Sequence, residues 1–157
     1  MKTDNSLVEI VQEINKNIPL HNLWDGFWIS SWQDSTLVVS ASFNKIYYRN
    51  YDLIFTEVSF FNLPQWWRDT WIHGEDLIRL ATEQEFKVQQ PEFNLDGRAI
   101  FAIDIYYGEE REEKHTFFIL AKHTCLIKCD ESDEWPIFDY QDPLDDSADY
   151  PSKQNRV

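Results

Sequence analysis

Between Arg98 and Cys129 the chain reads RAIFAIDIYY, then the charged connection GEEREEK, then HTFFILAK and TCLIKC. Runs of this length, rich in β-branched and aromatic residues and separated by short polar breaks, predict strands over residues 98–107, 115–122 and 124–129. Connections this short favour antiparallel neighbours, because a parallel crossover needs about a dozen residues or more. A sheet of this kind has an apolar face to bury, and the preceding sequence offers both further strands and a helix.

Ser6 and Glu9 have capping-box spacing, and Leu7, Val8, Ile10, Val11 and Ile14 recur at helical intervals until Pro19 stops them. Residues 6–17 therefore read as one amphipathic helix with its stripe on a sheet. From Gly26 the period becomes two: Trp28, Ser30 and Trp32 alternate with Ile29 and Ser31, and Leu37, Val39, Ala41 and Phe43 share one face after Gln33-Asp34-Ser35. This predicts a hairpin, and YDLIFTEVSFF at 51–61 predicts a third strand. Glu75 to Val88 suits either type, and a strand at Leu77–Thr82 is the expectation. The fold class is α+β: a helix on a mainly antiparallel, strongly aromatic sheet.

At 157 residues, 43% of them apolar and 16% aromatic, the chain can bury a full core in one domain, read as residues 1–141. The formal charge of −14 disfavours nucleic acid and anionic membranes, both of which bind through cations. Residues 130–157 hold 9 acids and 2 bases, so residues 142–157 are expected to form a flexible acidic tail, while WPIFDY at 135–140 docks on the body. The first residues, MKTDNSLVEI, lack a signal-peptide core, no apolar run suits a membrane span, and two cysteines make no disulfide framework, so the protein reads as cytoplasmic.

FNLPQWWRDTWIHG, residues 61–74, places Trp66, Trp67 and Trp71 directly after Pro64. Proline suits a first helical turn, and a turn there would set Trp67 and Trp71 on one face and leave Trp66 on another. A buried tryptophan removes roughly 200 Å² from water, so Trp67 and Trp71 are expected in the core and Trp66 at its margin.

Motifs for chemistry are sparse. His123, Cys125 and Cys129, with His115 on the strand before, match no zinc spacing, and buried thiols are the expectation. Asp142, Asp145, Asp146 and Asp149 lack the turn glycine and closing glutamate of a calcium loop. Nucleophile elbows, phosphate loops, dinucleotide fingerprints and H-E-x-x-H are absent, so neither a cofactor nor a catalytic residue is assigned. Asp104 alone interrupts an apolar strand. It is expected either to face solvent or to sit half-buried with a raised pKa, near His115 or Arg98.

These readings point to a non-enzymatic interaction protein with an acidic surface, Glu109, Glu110, Glu112 and Glu113 together with Asp130, Glu131, Asp133 and Glu134, that meets a basic protein through Trp66 as anchor. A small-molecule pocket between helix and sheet, lined by Trp28, Trp32, Phe55, Asp104 and Tyr106, is the alternative, and a homodimer covering the aromatic excess is a third. A strand followed by N-L-P and an aromatic turn in a small acidic α+β chain resembles bacterial immunity proteins that neutralise toxins. That resemblance implies an inhibitor-type function and assigns no residue.

Overall fold

The computed structural model describes residues 5–20, 22, 23, 25–43, 49–107, 110 and 112–129. The tail, the WPIFDY segment and the acids Glu109, Asp130, Glu131, Asp133 and Glu134 lie outside them. The chain is α+β with antiparallel sheets, and its strands divide between two sheets rather than forming one.

Helix α1 (Asn5–Asn17) comes first, succeeded by the hairpin of β1 (Gly26–Gln33) and β2 (Thr36–Ser42), then β3 (Tyr51–Thr56). The strand expected over 51–61 breaks after Thr56, because Glu57 adopts φ 51° and turns the chain out of the first sheet. Its remainder, β4 (Phe60–Phe61), joins the second sheet. Next, β5 (Trp66–Trp67) returns to pair with β1, and a 3-10 turn spans Asp69–Trp71. The second sheet is completed by β6 (Arg79–Leu80), β7 (Ala99–Tyr107) and β8 (Glu113–Ala121), and β9 (His123–Lys128) rejoins the first. The strand orders are β5-β1-β2-β3-β9 and β4-β8-β7-β6.

The sheets bury their facing sides on each other. Leu37, Val39, Leu53 and Phe55 come from one, and Phe101, Ile103, Ile105 and Ile119 from the other. Phe55 meets Phe101 edge-on across the gap, ring centroids 5.4 Å apart. As expected, α1 lays Val11 and Ile14 against this core, beside β6 and β9.

Of the strand expected at Leu77–Thr82, Arg79 and Leu80 pair with β7, and Ala81 adds one backbone hydrogen bond to Ile100. Before them, Asn15 of α1 accepts hydrogen bonds from the Leu77 and Ile78 N–H groups at 3.0 and 3.1 Å and donates to the Ile78 carbonyl at 2.7 Å. After them, Thr82 caps α2 (Glu83–Gln89) in a capping box with Glu85. Both ends of the would-be strand thus have better partners than a ladder. Phe86 of α2 covers the outer side of the second sheet with Ile100, Ala102, Phe118 and Leu120.

The tryptophans are placed differently from the expected helical turn. Trp66 and Trp67 lie on a strand, which sends them to opposite faces. Trp67 is fully buried and stacks on Phe27, 5.4 Å between centroids, while Trp66 is half-buried and donates its indole N–H to the Asp25 carbonyl at 2.9 Å. The helical turn begins later, at Asp69, and the partner of Trp71 is Trp66, not Trp67.

Candidate functional site: an acidic, aromatic end of the second sheet

The four rings proposed to line a pocket between helix and sheet are not brought together. Phe55 is enclosed between the sheets with 0% exposure. Trp28 is buried on the opposite side of the first sheet, opposite Ser40. A bulge at Ser30 shifts the register, so that Trp32 no longer shares a face with Trp28. Instead it packs on Phe61 at 5.0 Å near the hairpin tip and stays 48% exposed. Tyr106 lies on the outer side of the second sheet, where only Asp104 among the other pocket candidates joins it.

Asp104 owes its position to the way β7 is covered. The strand is buried continuously through Ile103, because the facing sheet covers one side and α2 the other. Beyond the reach of α2 the outer side opens, and Asp104 is the first side chain to emerge. Arg79 donates to it through Nε at 2.9 Å and Nη2 at 3.3 Å, Thr116 through Oγ1 at 2.6 Å, and Lys114 Nζ lies 3.3 Å away. Burial acts to raise the Asp104 pKa, but the hydrogen bonds from Arg79 and Thr116 and the charges of Arg79 and Lys114 outweigh it and hold the carboxyl below its ordinary value. The shift is therefore downward, the reverse of the raised pKa considered from sequence. A carboxylate so fully engaged is a structural hub and a poor proton donor at neutral pH.

Arg79 extends the cluster. Its Nη1 reaches Glu85 Oε1 at 2.8 Å, and its own pKa is raised, first by the bond to Asp104. Glu85, which also accepts from the Thr82 N–H at 2.8 Å, is held low chiefly by that bond. His115 and Arg98, the partners suggested for Asp104 by sequence, lie elsewhere. His115 faces Glu113 at 2.8 Å, and Arg98 donates to the Glu57 carbonyl at 2.6 Å. Arg79 was the missed residue; its alternation with Leu80 in LIRL was the available signal.

Asp104 and Tyr106 line a pocket of about 180 Å³ with His73, Asp76, Leu77, Ile78, Arg79 and Ala102. The His73 ring lies flat on Tyr106, 3.8 Å between centroids and 7° between planes. On the other side of the same end, half-buried rings run in sequence. Trp66 meets Trp71 at 5.5 Å, Trp71 meets Tyr107 at 5.2 Å, and Tyr107 meets His115 at 5.2 Å. The Arg68 guanidinium sits 5.6 Å from the Trp66 ring centre, a cation over that aromatic face. Around the rings stand the exposed acids Glu75, Asp76, Glu110, Glu112 and Glu113. The β7–β8 connection starts at Tyr107 and ends opposite it at Glu113, which fixes Glu110 and Glu112 at this end.

Elsewhere, Cys125 is exposed and Cys129 buried, both as free thiols. Among the described residues no group of three or more His, Cys, Asp or Glu is placed to hold a metal ion, and no helix is long and apolar enough to cross a membrane. No protein-family model matches the chain, and no curated protein and no solved structure shows significant similarity to it.

Proposed function

We propose that this protein is a non-catalytic interaction module whose β7–β8 end receives a basic protein partner. The observation that carries this reading is the joining, at one end of the second sheet, of half-buried aromatic rings with exposed carboxylates. Rings of this kind supply the central anchors of protein interfaces, and a rim of one charge speeds encounter with the opposite charge. The total charge of −14 acts in the same direction over longer range. At the pocket beside Tyr106 a small-molecule reading draws less support. The pocket beside Tyr106, about 180 Å³, is smaller than ordinary ligand sites of roughly 300–1,000 Å³. An inhibitor of a basic enzyme is one form that such a module takes.

The test uses the full chain as immobilised bait beside the E110K/E112K/E113K variant. A basic protein retained by the first and lost by the second is then studied by stopped flow. Its association rate should fall by about tenfold or more between roughly 0.02 and 0.5 M salt, with dissociation little changed. Equal retention by the variant, or an association rate indifferent to salt, removes the proposal.

A further inference from the structure

On the β6 side, the second sheet has an edge that begins paired and ends unpaired. β6 pairs with β7 at Arg79↔Ala102 and Leu80↔Phe101, and the Ala81 N–H donates to the Ile100 carbonyl at 2.8 Å. Even-numbered residues of β7 therefore turn their N–H and C=O groups toward β6, and odd-numbered ones toward β8. The next even residues are Asp104 and Tyr106. Beside them the incoming chain has swung away, because Asn15 holds Leu77 and Ile78. Among the described residues nothing hydrogen-bonds to the backbone N–H or C=O of Asp104 or Tyr106. The gap left by this divergence is the pocket between β7 and residues 73–78.

The opposite edge of the same sheet is treated differently. There β8 runs past the two residues of β4, yet Asn62 Oδ1 accepts from the Phe118 N–H at 2.7 Å and Gln89 Nε2 donates to the Thr116 carbonyl at 2.9 Å. Asn62 and Gln89 are themselves joined at 2.9 Å. Proteins usually close or disguise exposed edges, and here the cover reaches along β8 as far as the Thr116 carbonyl, whereas on β7 both backbone groups of Asp104 and of Tyr106 are left open beside the acidic end.

We propose that the β7 edge at Asp104 and Tyr106 takes an extended, basic segment of a protein partner as an added strand. The proposal rests on the function inferred above and names how the partner is held. Main-chain hydrogen bonds to Asp104 and Tyr106 supply the register, as in other strand additions. Charge selects the occupant: on this side the added strand runs past Asp76 and Glu75, and toward the β7–β8 connection it meets Glu110 and Glu112, all exposed. Arg79 and Lys114 do not oppose it, since both are engaged by Asp104.

The probe is an acetylated and amidated peptide alternating lysine with valine over seven residues. Its control carries a methyl group on every backbone nitrogen, which keeps charge and side chains but removes the N–H donors. In an NMR titration of the isotope-labelled full chain, the unmodified peptide should slow amide exchange at Asp104 and Tyr106. The control should bind at least about tenfold more weakly, and E75K/D76K should weaken the unmodified peptide while leaving the fold intact. Equal binding of the methylated control, or shifts that spare Asp104 and Tyr106, overturns strand addition and leaves the basic-partner reading standing on its own salt test. Absence of any shift with either peptide at millimolar concentration also overturns it. Protection of the two amides that grows with protein concentration alone assigns the edge to a second copy of this chain, against the proposal.

Discussion

Asp104 is the residue on which the most polar contacts of the second sheet converge, and its charge is present for a reason that can be measured. Its folded pKa lies below the ordinary carboxylate value, so its contribution to stability is complete above about pH 4 and is withdrawn as pH falls through the lowered folded value. Asp104→Asn should cost about 2 kcal/mol at neutral pH in urea titrations, because Arg79 and Lys114 lose a charged acceptor. The same variant should lose less stability than wild type between about pH 5 and 3, the remaining loss coming from Glu57 and Glu85, whose pKa values are also lowered. The two thiols give a second test at this scale. Cys129 is buried, and that burial raises its pKa, while Cys125 is exposed. An aromatic disulfide reagent should titrate one thiol promptly in the native protein, and Cys125→Ser should abolish that prompt phase.

Elements here are set by short signals that compete with longer ones. The strand expected at Leu77–Thr82 rested on apolar alternation, but Thr82 and Glu85 carry the same capping spacing recognised at Ser6 and Glu9. Four residues of cap chemistry outweighed the alternation, and Thr82→Ala should cost about 1 kcal/mol in chemical denaturation. The tryptophan segment failed for a related reason. Pro64 permits a helical start, yet the pairing of Trp67 with Phe27 on β1, forty positions earlier, decided for a strand. Gly26 makes that pairing possible. A Cβ there would lie 2.2 Å from the Trp67 carbonyl oxygen, and its φ is +73°. Gly26→Ala should cost about 3 kcal/mol, whereas Gly97→Ala, which has a positive φ but open space, should cost about 1 kcal/mol.

At the scale of the whole molecule, the strands, the first helix and the antiparallel sense were legible because periodicity reports which side of an element is apolar. The division into two sheets was not, since alternation at Leu53 and Phe55 looks the same whichever layer they meet. One clue lay in β7: an apolar run unbroken to Ile103 implies cover on both sides, and Asp104 marks where the second cover ends. The run of acids between β7 and β8 could be read from the sequence, but the rings near it come from three distant segments joined only by folding. Because the Phe55–Phe101 contact ties the layers, Phe101→Ala should cost about 3–5 kcal/mol, with tryptophan fluorescence and far-UV dichroism still falling in a single transition. The unlike margins of the second sheet also limit how copies can assemble. Edge-to-edge stacking of copies needs a run of bare ladder on both margins, and the Asn62–Gln89 pair, by occupying the Phe118 N–H and the Thr116 carbonyl, shortens that run on one of them. Through this sheet, then, a guest meets Asp104 and Tyr106 with all their backbone groups on offer, whereas on the far margin the Thr116 carbonyl is already taken.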